Sequence, residues 1–199
     1  MKRTGSKHKL CRRIGACVWG NPKCPSAKRP YMAGMHGSTR RRKQSTYAEL
    51  LLEKQKLRAH YDVTEKQLRI AYRKAKAGEG VTGDKLLTAL ETRLASVVFR
   101  SGLAPSIHAA KQAVTHRHVL VDDHVVDRNS YSLGPGQVVS ISSERSPALA
   151  SMAQRSDVVP PPYLACDRDS AKVTLTRTPT VDEIPVPVEV TRVIEYYAR

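Results

Sequence analysis

The stretch ETRLASVVFRSGLAPSIHAAKQAVTHRHVLVDDHVV, Glu91–Val126, decides the fold. It belongs to a longer run from Leu86 to Ile141. Leu86, Leu87, Leu90, Leu94, Val97 and Val98 recur at three- and four-residue steps. That spacing predicts one helix from about Asp84 to Ser101 with a single apolar stripe. Gly102 supplies the left-handed residue that ends many helices. Ser106 is placed to cap a second helix through about His116, with Ile107, Ala110 and Val114 inward. Val119-Leu120-Val121, the turn residues Asp122-Asp123-His124, and Val125-Val126 read as a tight hairpin. Gly134-Pro135-Gly136 is a turn before a last strand, Val138–Ile141.

Working outward, Thr46-Tyr47-Ala48-Glu49 fits a capping box and opens a helix to about His60. Tyr47, Leu50, Leu51, Leu57 and Tyr61 fall roughly on one side of it. Thr64-Glu65-Lys66-Gln67 is a second capping box, and Val63 is placed to staple onto Leu68. That helix ends by Gly78-Glu79-Gly80, and its outer face carries Lys66, Arg69, Arg73, Lys74 and Lys76. Downstream, Pro147–Pro162 reads as a linker. Tyr163–Cys166 and Lys172–Arg177 read as short strands. Val190, Val193, Ile194 and Tyr197 follow helical spacing, and Pro187 suits the first turn of such a helix. The expected class is α+β. A helical front lobe is joined to a second lobe that carries a two-helix, β-hairpin RNA-binding module on a small antiparallel sheet.

The domain reading follows from these elements. Residues 1–45 form a basic extended segment without periodicity, too poor in apolar residues to bury a core unaided. Residues 46–90 form a helical lobe. Residues 91–146 form the module, and 147–179 supply linker and short strands.

Charge separates the two ends of the chain. The 199 residues hold 34 Lys+Arg against 18 Asp+Glu, a net +16. Residues 1–78 carry 21 of those cations and 4 of the acids, so the whole excess lies at the front. A field of this kind fits a polyanion, and its gathering at one end fits a chain whose front lies among phosphates. No apolar run reaches the eighteen or so residues of a membrane span, and no signal peptide is read. A reducing compartment is expected, with metal-bound or idle thiols favoured over disulfides.

Several segments, in order along nearly the whole chain, resemble the bacterial-type small-subunit ribosomal protein four family. They include Lys9-Leu10-Cys11-Arg12-Arg13-Ile14-Gly15, Gly34-Met35-His36-Gly37, Glu53-Lys54-Gln55-Lys56-Leu57-Arg58 and Thr64–Leu68. Thr82-Gly83, Leu90–Leu94, Val97–Gly102 and Val193–Arg199 continue the match. The resemblance implies a structural constituent of the small ribosomal subunit that binds ribosomal RNA early in assembly. It further implies a place near the mRNA entry channel beside small-subunit proteins three and five, and an influence on decoding accuracy. It also implies that residues 180–199 rejoin the helical lobe of residues 46–90. A cytoplasmic, ribosome-bound protein without catalytic activity, without a membrane partner and not a homo-oligomer is expected. The chain departs from its relatives at Ile107 and His108, where basic residues are common, and at Asp122-Asp123, where Asn-Gly is common.

Phosphate oxygens call for Lys and Arg, and unpaired bases for aromatic stacking. The expected RNA contacts in the front region are Arg12, Arg13, Tyr31, His36, Arg40, Arg41, Arg42, Lys43, Lys54, Lys56, Arg58, Arg69 and Arg73. In the module they are Arg93, Arg100, Lys111, Gln112, His116, Arg117 and His118. The competing reading of each is solvated surface charge. His8, Cys11, Cys17 and Cys24 offer four soft ligands for one structural zinc. Some relatives have four cysteines here, and His8 stands at the first place. The competing reading is three reduced thiols and an RNA-facing histidine. An RNA-modifying enzyme with the same module would need more than the fifty or so residues that follow it. A stand-alone stress RNA-binding factor would not need the basic front segment.

Overall fold

A computed structural model describes residues 8–19, 21, 23–39 and 45–198. Arg40, Arg41, Arg42 and Lys43 lie outside the described residues. The chain divides into two compact units, one of Met1–Leu68 with Val186–Arg199 and one of Arg69–Pro185.

The first unit contains α1 (Lys9–Ile14), α2 (Pro25–Lys28), α3 (Thr46–His60), the start of α4 (Glu65–Ala77) and, from the far end of the chain, α9 (Val190–Ala198). Ser45, not Thr46, caps α3, its hydroxyl accepting from the Ala48 amide. The expected box is thus one residue out of step, because Ser and Thr adjoin and either fits the rule. Thr64 and Gln67 do exchange the two expected bonds: the Gln67 amide donates to Thr64 Oγ1 at 3.2 Å and the Thr64 amide to Gln67 Oε1 at 3.1 Å. Leu50, Leu57, Tyr61, Val63, Leu68 and Val193 are buried, while Tyr47 is exposed. The final segment is helical as its spacing predicted, but Pro187 lies ahead of the first turn rather than in it.

The second unit is built on α5 (Thr82–Glu91), α6 (Leu94–Arg100), α7 (Ile107–Thr115), α8 (Pro147–Gln154) and a five-stranded antiparallel sheet. The strands are β1 (Val119–Val121), β2 (His124–Val125), β3 (Val138–Ile141), β4 (Leu164–Asp167) and β5 (Lys172–Leu175), in spatial order β2-β1-β3-β5-β4. Register pairs Val121 with Val139 and Val139 with Val173, so buried valines line up across three strands. Leu94, Val97, Val98, Ala110 and Val114 bury in the same core.

Three expectations are corrected here. The single helix from Asp84 to Ser101 is two helices, broken at Thr92-Arg93. Backbone bonding causes the break: the Leu94 amide donates to Tyr131 and the Leu133 amide to Thr92. Ser96 Oγ donates to the Leu90 carbonyl at 2.8 Å, so a carbonyl at the break is satisfied. No Gly or Pro marks the site, and the apolar period runs through it. The supposed linker after Pro147 contains α8, with Pro147 at its first turn and Ala150 and Ala153 buried. The hairpin turn is Asp122-Asp123 alone, with φ of 48° and 63°, and His124 already belongs to β2. Two positive φ values are what a two-residue hairpin turn requires.

Glu91 is fully buried. Arg100 Nε donates to Glu91 Oε1 at 2.6 Å, and the Tyr163 hydroxyl donates to the same oxygen at 2.7 Å. Burial, then the Glu91 carboxylate, pushes the Tyr163 phenol well above its ordinary value, so it stays a donor. Replacing Arg100 with Met leaves a carboxylate without its cation in the core, and about 3–5 kcal/mol of stability should be lost. Urea unfolding checks this: Glu91→Gln with Arg100→Met should recover part of the loss, and a loss below about 1 kcal/mol for Arg100→Met alone would contradict the role given to the pair.

Candidate nucleic-acid interface and metal site

The four soft ligands of the front segment come together. The Nδ1 or Nε2 of His8 and the Sγ atoms of Cys11, Cys17 and Cys24 all lie within 4.8 Å of one another. His8 precedes α1 and Cys11 lies within it. Gly15, at φ 87°, ends α1 and turns the chain toward Cys17. Cys24 leads into α2, where Pro25 takes the first turn. Cys24 Sγ lies 3.2 Å from His8 Nδ1, the Ser26 hydroxyl donates to Cys24 Sγ at 3.1 Å, and the Asn21 amide donates to Cys17 Sγ at 3.3 Å.

Burial pushes the Cys11 thiol up to about 11, and Cys24 and Cys17 add to the rise. Burial acts upward on Cys24 too. Hydrogen bonds from the Ser26 side chain and backbone, with others from Cys17 and Cys11, outweigh it and hold that thiol below its ordinary value. A tetrahedral ion with metal–sulfur bonds near 2.3 Å sets ligand atoms roughly 3.8 Å apart. The donor set and its spacing therefore suit a metal ion. Two bonds tie the loop to α3: Trp19 Nε1 donates to the Ala59 carbonyl at 3.0 Å, and His60 Nδ1 meets the Val18 carbonyl at 3.2 Å.

The expected RNA contacts divide by environment. Tyr31, His36, Arg69, Arg73, Gln112, His116 and Arg117 are exposed. Arg13, Lys111 and His118 are half-buried. Arg12 is half-buried and anchored, its Nε and Nη2 donating to the carbonyls of Tyr31 and Met32 and its guanidinium 5.0 Å from the Tyr31 ring centre. In the module, Arg117 pairs with Asp127 at 3.1 Å, and its carbonyl accepts from Arg145 Nη1.

A second group is buried or held by partners within the chain. Lys54 is only 6 % exposed. Its Nζ donates to Glu65 Oε1 at 3.2 Å and lies 4.1 Å from the centre of the Tyr196 ring. Lys56 pairs with Glu53, whose other oxygen accepts from the Glu189 amide at 3.2 Å. Arg58 lies 3.6 Å from Glu65. Arg100 is held by Glu91, and burial lowers the Arg93 guanidinium from its ordinary value. The Glu53–Arg58 run thus fastens the C-terminal segment to α3. Its charges looked free because their carboxylate partner Glu65 and ring partner Tyr196 lie 11 and 142 positions on from Lys54.

Lys9, Lys23, Lys28 and Arg29, absent from the expected contacts, gather with Arg12 round a cleft of about 700 Å³ between α1 and α2. The signal that could have found them is the want of any Asp or Glu before Glu49. Asp122 was also undervalued. Its carboxylate accepts from the Val138 amide and from Gln137 Nε2, both at 2.9 Å, and braces the hairpin turn against β3.

Fold and surface together define an α+β protein with a strongly basic front segment. The model of the ribosomal protein S4/S9 N-terminal domain matches residues 2–91, and that of the S4 domain matches residues 92–139. The small ribosomal subunit protein uS4 of Bifidobacterium adolescentis is 43 % identical across 100 % of this chain and 99 % of its own. Its counterpart from Bifidobacterium animalis subsp. lactis is 45 % identical over 96 % of each chain, and that of Leifsonia xyli subsp. xyli 41 % over 98 % of each. The chain belongs to the uS4 family of small-subunit ribosomal proteins.

Glu65 provides a pH test of the clasp. Burial would raise its carboxyl, but the Tyr197 hydroxyl at 2.9 Å and Lys54 outweigh this and hold it below the ordinary 4.5. A carboxyl depressed in the folded state adds stability that is complete above 4.5 and is lost as pH falls through the lower folded value. Glu65→Gln should flatten that acid limb of the stability curve, as followed by urea midpoints from pH 7 to pH 3. An unchanged limb would show that the clasp does not depend on this charge.

Proposed function

We propose that this protein is a primary ribosomal-RNA binder that joins the small subunit early in its assembly. It then remains ribosome-bound near the mRNA entry channel, beside small-subunit proteins three and five, and influences decoding accuracy. It acts as a single copy. The observation that carries the reading is the full-length likeness to uS4 proteins, together with a positive excess confined to residues 1–78.

In this reading Arg12, Arg13, Tyr31, His36, Arg40, Arg41, Arg42, Lys43, Arg69 and Arg73 meet RNA from the front region. Lys111, Gln112, His116, Arg117 and His118 meet it from the module. Exposure supports Tyr31, His36, Arg69, Arg73, Gln112, His116 and Arg117. Arg58, whose side chain is 41 % exposed, meets RNA with the front residues, while Lys54, Lys56, Arg93 and Arg100 shape those surfaces from within, as their burial and ion pairs suggest. His8, Cys11, Cys17 and Cys24 hold one structural zinc, which ties α1 to α2 in a segment with almost no apolar core. The division into a basic segment at 1–45, helical residues 46–90 rejoined by 180–199, a module at 91–146 and a strand-bearing 147–179 is retained as a functional map.

Two experiments test this. Charge reversal at Arg40, Arg41 and Arg42 should weaken binding to small-subunit rRNA by more than tenfold at moderate salt, and reversal at Arg128 and Arg145 by much less; equal losses would defeat the front-loaded reading. Elemental analysis of purified protein should find close to one zinc per chain. Less than a tenth of an equivalent would remove the metal from the account.

A further inference from the structure

The first forty-eight residues contain thirteen Lys and Arg and no carboxylate. Five of those cations, Lys9, Arg12, Lys23, Lys28 and Arg29, line the cleft between α1 and α2, and His8 and Cys24 share its wall. None of Lys9, Lys23, Lys28 and Arg29 has a carboxylate partner among the described residues. Like charges drawn together in this way repel, and a fold keeps such a group only if something binds the cations or braces what carries them.

The brace is visible. The only buried side chains described between residues 8 and 39 are Cys11, Cys24 and Ser26. Helices of six and four residues have no independent stability in water. Among the described residues, the cluster of His8, Cys11, Cys17 and Cys24 therefore holds most of what is buried in this segment, and the cleft adjoins it. Arg12 extends the wall by holding the carbonyls of Tyr31 and Met32.

We propose that this cleft seats a stretch of ribosomal-RNA phosphate backbone, and that occupancy of the adjoining Cys3His cluster sets how tightly it does so. The inference rests on the rRNA-binding and zinc readings above. Its volume, about 700 Å³, is that of a site for a compact ligand rather than a flat charged surface. The ligand is anionic because Lys9, Arg12, Lys23, Lys28 and Arg29 line the cleft and no carboxylate does. Metal and RNA are linked by necessity: an ion that fixes the spacing of α1 and α2 raises RNA affinity, and bound RNA raises metal affinity by the same factor.

The test uses the full chain, full-length small-subunit rRNA and equilibrium binding over a range of salt. It compares zinc-loaded with chelator-stripped wild type, and both with Lys23→Ala/Lys28→Ala/Arg29→Ala. These three side chains are exposed, so the variant should fold. It should bind at least tenfold more weakly, with the salt slope reduced by roughly two units for three lost phosphate contacts. Stripping zinc should weaken wild-type binding at least fivefold and change the variant less than twofold. Zinc retention against a competing chelator should rise on adding rRNA to wild type by the same factor. Binding by the variant within twofold of wild type would overturn the cleft. Equal losses on stripping in both proteins would overturn the coupling. Failure of zinc-loaded wild type to bind rRNA at all would overturn the parent reading, and this inference with it.

Discussion

Everything in the front half of this molecule answers to one electrostatic constraint: positive charge accumulates along the chain before any negative charge is available to meet it. Glu49 is the first acid, and those that follow are spent at once. Glu53 takes Lys56 and the amide of Glu189, and Glu65 takes Lys54 and Arg58. The cations of helix α3 are met by its own Glu53 and by Glu65 of α4, whereas the segment before it has no acid to balance with. In such a segment the described soft ligands stand where an apolar core would be, and no carboxylate offsets the cations.

The second unit solves the opposite problem. Its net charge is only +3 and its core is ample, with apolar side chains of α6, α7 and α8 closing on the sheet. A buried Glu91, Arg100 and Tyr163 group sits among them. Burying such a group costs desolvation, and an apolar replacement of equal shape can serve stability as well. What the group supplies is direction: the guanidinium and the phenol converge on one carboxylate and so tie α6 and the residue before β4 to the end of α5.

How much of this was legible from sequence follows from where each signal lives. Caps and turns are local, so Ser106, Gly102, Thr64 with Gln67, and the Gly134-Pro135-Gly136 turn could all be read. The cysteine–histidine group was also legible, because four soft ligands within seventeen residues have few other reasons to adjoin. The break at Thr92-Arg93 was not, because its cause is pairing with Tyr131–Leu133, some forty residues on. Helix α8 was hidden by a proline that starts a helix as readily as it ends one. Lys54 looked like a surface cation because a side chain's burial is fixed by what covers it, and Tyr196 lies at the other end of the chain. Local chemistry was readable; long-range closure was not.

That closure has a consequence for how the protein is made. Helix α3 and the start of α4 are completed by Glu189, Tyr196 and Tyr197, which lie more than a hundred positions further along the chain. Residues 69–185 form a contiguous unit and can fold as soon as they leave the exit tunnel. The first unit begins earlier in the chain, yet α3 lacks its partner until α9 has been synthesised. For these two units the order in which synthesis begins and the order in which all the parts are present are opposite.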